Sequence, residues 1–256
     1  IIGVPTEVGD TGCRGLMSDT DNNAQADKLD KILTRLDELE RGQEIVYEQL
    51  AALMNLHAVL APLNAPLPRM RRWAAAPDFA ILLYGLLIDH QPTTIVELGS
   101  GVTTVVSGYY MLRHGKPNAQ IYAVEQDALY ASLAREKVER HQLQDYATVV
   151  HASLETLPLV DDDWEWYDQA VFADIEQIDF LTVDGPAQNN NPQRMVRYPA
   201  LPVLFEKLAP QAIILVDDAH REHETRVVRR WMDEFDLLEL ARVDTEKGAV
   251  VLQKNG

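Results

Sequence analysis

The chain has 256 residues and a formal net charge of −17, with 40 acidic side chains against 23 Lys and Arg. That balance argues against nucleic acid as a partner, because phosphate binding depends on basic surface. Hydrophobic residues make up 46%, enough for one full α/β domain with an appendage. No apolar run reaches the length of a membrane span and none reads as a signal peptide; the single cysteine, Cys13, excludes an internal disulfide and fits a reducing, cytoplasmic compartment.

Residues 1–23 are polar and without period, and are expected to form a disordered tail, with Met17 as a candidate native start. From residue 24 to 60 the pattern changes. Leu29, Leu36, Gln43, Leu50 and His57 fall at one position of a heptad, and Ile32, Leu39, Val46, Leu53 and Leu60 at the other. Over residues 29–60 such a helix is roughly 50 Å long at about 1.5 Å per residue. Self-association through 29–60 is its natural use, with Gln43 and His57 setting register; an amphipathic helix docked on its own domain is the alternative. The pattern leaves the number of strands open. Residues 61–74 form a proline-punctuated linker, APLNAPLP at its start. Trp73, near its end, either lines the mouth of a site or anchors the linker. The basic clusters Arg69, Arg71, Arg72 and Arg226, Arg229, Arg230 read as solvated faces.

Residues 75–256 alternate helix and strand as a doubly wound, mostly parallel sheet requires. Helix 79–88 leads to a strand at 95–98, helix 103–113 to strand 120–125, and helix 128–140 to strand 147–151. An acidic stretch, 161–174, reads as irregular. Strand 180–183, helix 198–208, strand 212–216 and helix 222–234 follow. Two last strands, 237–243 and 249–253, are so close that they can only make an antiparallel hairpin. The expected fold class is therefore α/β, with a seven-stranded sheet ending in that hairpin and a coiled-coil helix ahead of it.

The chemistry concentrates at Thr93–Thr104, TTIVELGSGVTT. A buried strand enters a glycine turn that exposes backbone N–H groups beside a helix N-terminus, which suits a nucleotide or another anionic group. The dinucleotide pattern Gly-x-Gly-x-x-Gly is broken, because Thr104 stands where its third glycine would be. Glu125 closes the second strand, where a carboxylate can accept hydrogen bonds from a ribose diol.

Glu97-Leu98-Gly99-Ser100-Gly101, followed by Glu125, resembles the first two motifs of the class I S-adenosylmethionine-dependent methyltransferases. The resemblance covers about residues 75–256, and the parallel sheet with its terminal hairpin agrees with it. It implies S-adenosylmethionine as cofactor, held by Glu97, Gly99, Ser100, Gly101, Thr103 and Glu125, with its adenine beside Ala152 and Ser153 after the third strand. Many relatives carry an acid where Ala152 stands. The fourth-strand phrase IDFLTVDGP is similar to that of the metal-dependent O-methyltransferases of the catechol, caffeoyl and macrocin types. That likeness implies metal ligands at Asp184, Asp217 and Asp218, and Mg²⁺ as the ion.

Three carboxylates converging at one sheet edge would repel one another, and a hard divalent cation would relieve them. The alternative is that Asp184 and Asp217 cap loops and Asp218 is solvated. The catechol-type lysine three residues past the first aspartate is absent; Ala187 takes its place. His220 is then the candidate general base, with His223 behind it and Asp184 also assigned a catalytic role. The loop 186–197, with Arg194 and Arg197, is the candidate lid over a small hydroxylated acceptor such as a sugar. Two other readings remain: a metal-independent methyltransferase using His220, and a non-catalytic coiled-coil scaffold.

Overall fold

The computed structural model describes residues 19–188 and 195–256. Cys13, Met17 and Arg194 lie outside it, as does most of the expected tail. Helix α1 (Asp19–Leu60) begins inside that expected tail, ahead of the heptad pattern.

Along α1 the exposed and the buried side chains form two sets, and only Leu60 of the buried set belongs to the heptad pattern. Leu29, Ile32, Leu36, Leu39, Val46 and Leu50 are each more than half exposed. Gln49, Ala52, Leu56 and Leu60 are buried, the last two completely. Arg113 donates to the carbonyls of Val59, Leu60 and Pro62, which meets the unsatisfied C=O groups at the helix end. Gln49 and Asp78 exchange hydrogen bonds of 2.6 and 3.3 Å. The last turns of this helix thus dock on the domain, as the second alternative expects.

The domain that follows comprises α2 (Pro77–His90), β1 (Thr94–Leu98), α3 (Val102–His114), β2 (Gln120–Glu125), α4 (Ala128–Arg140), β3 (Ala147–His151), β4 (Leu154–Pro158), β5 (Asp163–Tyr167), β6 (Ile178–Val183), α5 (Ala200–Leu204), β7 (Leu208–Val216), α6 (Glu222–Glu234), β8 (Leu237–Val243) and β9 (Ala249–Lys254). Seven strands form one sheet in the order β3-β2-β1-β6-β7-β9-β8. The first five are parallel, and β9 runs antiparallel between β7 and β8. The chain winds outward from β1 to β3, then returns to place β6 on the other side of β1. That reversal opens a crevice at the carboxyl ends of β1 and β6.

Alternation along each strand feeds two cores. Ile95, Ile121, Ala123, Phe180, Ile213 and Leu215 pack on one face with Phe79 and Leu83 of α2 and Val105, Val106 and Tyr109 of α3. Val96, Leu98, Val124, Leu181, Ile214 and Val216 pack on the other with Trp166, Leu201, Val228 and Trp231. Successive side chains point to opposite faces, so strands covered on both sides are apolar throughout. A fully buried Phe79 or Leu83 contributes about 2 kcal/mol relative to exposure.

Two expectations are corrected. The stretch 161–174 is not irregular: β4 and β5 pair antiparallel as a separate two-stranded sheet. Trp164, Trp166 and Tyr167 are buried against the second core, which holds the hairpin in place. The expected helix 198–208 is shorter, with α5 ending in a single 3₁₀ turn, Phe205–Lys207, before β7 begins at Leu208.

Candidate active site

The hydrogen-bond ladder of the sheet runs one residue beyond several strand ends. Ala152 N–H donates to Glu125 O (2.9 Å), Gly99 N–H to Val124 O (2.8 Å), Asp184 N–H to Leu98 O (3.0 Å) and Asp217 N–H to Val183 O (3.1 Å). Parallel register therefore sets Glu125, Gly99, Asp184 and Asp217 in a row along the carboxyl edge. Beside that row is a cavity of about 690 Å³, within the roughly 300–1,000 Å³ typical of small-molecule clefts.

At one end the wall is the glycine turn and the start of α3: Gly99, Ser100, Gly101, Val102 and Thr103. Gly99 has φ 96°, a conformation that glycine adopts without steric cost. Glu125 faces the same end, and its carboxylate accepts from Ser100 N–H (3.2 Å), Ser100 Oγ (3.1 Å) and Asp127 N–H (3.1 Å). Gln126, Tyr130 and Lys137 complete this wall.

Glu97 is elsewhere. It is buried beneath the turn and accepts from Thr104 Oγ1 (2.7 Å) and Ser107 Oγ (2.9 Å). Thr104 Oγ1 in turn accepts from Gly101 N–H at 3.0 Å. Glu97 thus braces the turn rather than lining the cavity. Burial raises its carboxyl from 4.5 to about 7, with the two hydroxyls opposing the rise. Ala152 and Ser153 also lie off the cavity wall: Ala152 is buried with its N–H used by the ladder, and Ser153 leads into β4, its carbonyl accepting from Asp168 N–H.

The other end holds the acids. One oxygen from each of Asp184, Asp217 and Asp218 can be chosen so that all three lie within 4.8 Å of one another. Asp217 and Asp218 are buried, whereas the Asp184 side chain is 23% exposed and faces the cavity. Asp218 has φ 62°, a left-handed conformation that aspartate tolerates better than most residues.

Arg197, 3% exposed, lies among them. Its guanidinium donates to Asp217 O (2.8 Å), Asp184 O (2.6 Å) and Asp218 Oδ2 (2.7 Å), and approaches Asp184 Oδ1 (3.3 Å) and Glu224 Oε1 (3.8 Å). Burial alone would lower the arginine, but Asp184, Asp218 and Glu224 raise it above its ordinary value. Burial and the adjacent Asp217 charge push Asp184 up to about 8, with Arg197 opposing. Asp217 is raised as well, by burial and then by Asp218, against the pull of Lys247.

Lys247 belongs to the β8–β9 turn. Ala219 N–H bonds Gly248 O and His220 N–H bonds Lys247 O, both at 2.9 Å, so the turn is stitched to the end of β7. Lys247 Nζ consequently sits 3.6 Å from Asp217 Oδ2 and 3.7 Å from Asp218 Oδ1. Sequence reading missed it, though a lysine in a hairpin turn entering β9, beside the strand that ends in Asp217-Asp218, was a usable signal.

The side chain of His220 does not line the cavity. It is 54% exposed, with Nε2 3.2 Å from Asp244 Oδ1. His223 is likewise off the wall, its Nδ1 buried without a hydrogen-bond partner among the described residues. Trp73, Arg69 and Arg72, two of them read as solvated surface, do line it.

Residues 96–219 match the family described as Methyltransferase domain. An O-methyltransferase from Bacillus cereus in complex with SAH superposes with a TM-score of 0.55 at 17% identity, covering 80% of this chain and 91% of that one. An SAH-bound methyltransferase from Podospora anserina gives 0.59 at 11% identity over 85% and 96%. An O-methyltransferase from Streptomyces achromogenes involved in tomaymycin synthesis, in complex with SAM, gives 0.52 at 14% over 81% and 89%. No curated protein matches the chain in sequence. The strand order agrees with these matches: residues 96–219 match a methyltransferase domain, and the chain has the fold of the class I S-adenosylmethionine-dependent enzymes.

Proposed function

We propose that the protein is an O-methyltransferase that moves the methyl group of S-adenosylmethionine to a hydroxyl of a small molecule or glycosyl group, assisted by Mg²⁺. The observation that carries this is the registered row of Gly99, Glu125, Asp184 and Asp217 beside one cavity.

The chain's own residues fit the cofactor. A Cβ built on Gly101 would meet no protein atom within 4 Å, so the space over the turn is open. Glu125 offers its carboxylate to a ribose diol, and the N–H groups at the start of α3 face the same space. Gln126 and Tyr130 are better disposed toward an adenine than Ala152 and Ser153. When bound, the cofactor supplies an electrophilic methyl group on a sulfonium. Methyl transfer is an in-line displacement, so the chain's main contribution is to hold the acceptor oxygen on the line of attack and to exclude water.

The acid cluster fits a hard divalent cation as well. Among the described residues Asp217 Oδ2 and Asp218 Oδ1 are buried without a hydrogen bond; Lys247 Nζ stands 3.6 and 3.7 Å from them and Arg221 3.0 Å from Asp218 Oδ1, and a hard divalent cation would meet the same oxygens at ligand distance. Asp184, Asp217 and Asp218 would be its ligands. Such an ion would lower the pKa of a bound hydroxyl and orient it.

A second reading is favoured by Arg197, whose fork already neutralises part of the cluster. In a metal-independent enzyme the cavity-facing Asp184 would take the hydroxyl proton, its raised pKa matched to that task near neutrality. His220 would serve only if the 244–248 turn moved.

Self-association belongs to the proposal. The stripe Leu29–Leu50 presents six heptad residues more than half exposed, and a row of exposed apolar side chains at heptad spacing suits burial against another helix. A second copy of the same helix is the natural cover. Among the described residues no helix is long and apolar enough to cross a membrane, and a cytoplasmic setting accords with the single cysteine.

Incubation with S-adenosylmethionine and a panel of catechols and sugars, read by mass spectrometry with Mg²⁺ or chelator, tests the assignment. A methyl ether that needs Mg²⁺ supports the first reading, and one indifferent to chelator the second. Methylation of amines alone would overturn both.

A further inference from the structure

Resting on the methyltransferase reading, we propose that the acceptor is an anionic aromatic: a planar hydroxylated ring bearing a carboxylate or phosphate group, which Arg69 and Arg72 clamp while Trp73 covers the ring. The net charge of the chain is −17, yet six cationic side chains and three carboxylates line this cavity. Three of the cations are engaged: Arg197 and Arg221 pair with Asp218, and Lys247 faces Asp217 and Asp218; Lys137 is half-buried on the wall that Glu125 also lines. Arg69 and Arg72 have no ion-pair partner among the described residues, and both are exposed and line the cavity.

The segment that carries them is built rather than loose. Arg71, between them, turns away and forks Glu246 with contacts of 2.8 to 3.0 Å. Lys247 Nζ donates to Ala74 O at 3.3 Å, and Arg71 N–H to Ala75 O at 3.2 Å. These contacts hold Arg71 at φ 75° and Arg72 at φ 63°. Two consecutive left-handed residues that are not glycine are strained, and such strain persists only where surroundings enforce it, typically at ligand clamps. The outcome of the turn is Trp73, 87% exposed at the cavity wall. A tryptophan held in water beside a pair of free guanidinium groups is arranged for a ring with an attached anion, since arginine matches carboxylate and phosphate geometry in a fork. A neutral sugar would leave both guanidinium groups unused.

The test is calorimetry on the full chain, with S-adenosylhomocysteine titrated first and then 3,4-dihydroxybenzoate, 3,4-dihydroxybenzyl alcohol or 4-hydroxyphenyl phosphate, each with Mg²⁺ present. The benzoate should bind about tenfold more tightly than the alcohol at low salt, as two exposed ion pairs predict, and the advantage should shrink as salt rises. It should vanish in R69Q/R72Q, whose exposed, unpaired side chains contribute little to folding. The phosphate probe tells which anion is preferred. Trp73→Phe should weaken all three probes alike. Equal affinity for acid and alcohol, including no binding of either, overturns the inference while leaving the methyltransferase reading intact, provided S-adenosylhomocysteine binds. Discrimination retained in R69Q/R72Q also overturns it. Failure of S-adenosylhomocysteine to bind removes the reading on which it stands.

Discussion

Glu97 makes the sharpest prediction about what the first motif does in this chain. Its carboxyl is 1% exposed and raised from 4.5 to about 7 by burial. A group whose folded pKa lies above its unfolded value holds its proton more tightly in the folded state. Its contribution is therefore fully present below about pH 4.5 and is lost as pH rises through about 7. The rise corresponds to roughly 3 kcal/mol. Glu97→Gln keeps the shape and an acceptor for Thr104 and Ser107 but cannot ionise. Urea unfolding of both proteins from about pH 4.5 to about pH 8 should show the difference moving by about 3 kcal/mol in favour of the variant as pH rises, with most of the change complete by about pH 7.5. Affinity for S-adenosylhomocysteine should change only a few-fold, because Glu97 braces the turn from below. A pH-independent difference, or a loss of affinity as large as that of Glu125→Ala, would refute the assignment of Glu97 to the scaffold.

Arg197→Met should destabilise the fold by about 3–5 kcal/mol near pH 8, because it strips a buried cation from Asp184, Asp218 and Glu224. The loss should shrink on acidification, as the carboxylates protonate, and Mg²⁺ should recover part of it in thermal melts. Gly185→Ala would drive a Cβ onto the Tyr167 hydroxyl and to 2.9 Å from Gly99 N; a melting-point loss equivalent to about 1–3 kcal/mol is expected, together with weaker S-adenosylhomocysteine binding. Leu36→Glu combined with Leu39→Glu should reduce the mass seen by sedimentation to that of one chain without altering the melt of the domain.

The order and polarity of the main sheet were legible because apolar runs punctuated by Gly, Asp and Pro signal parallel strands, and because 244–248 is too short for anything but a hairpin. Asp184, Asp217 and Glu125 were legible for the same reason: each ends a strand, and parallel register sends strand ends to one edge. What was hidden depended on side chains meeting across distant elements. Trp164-x-Trp166 alternates as a strand does, yet its acidic neighbours masked the hairpin that its burial stabilises. Arg197 was read as part of a lid, because nothing in the order of residues says that it will be buried against four acids. Glu97 sits where a cofactor ligand is expected, but the inward side of its strand turns it under the helix. Arg69 and Arg72 read as surface because they stand in a short basic cluster of the linker, and only the fold brings them to the cavity.

If S-adenosylmethionine binds as proposed, Glu125 and the glycine turn hold it. The decisive measurement is calorimetric titration of the full chain with S-adenosylhomocysteine, Mg²⁺ present. A dissociation constant on the order of micromolar is predicted, weakened about 10- to 100-fold in Glu125→Ala by loss of charge-assisted hydrogen bonds. No heat at any of several temperatures from folded protein, or equal binding by the variant, would contradict it.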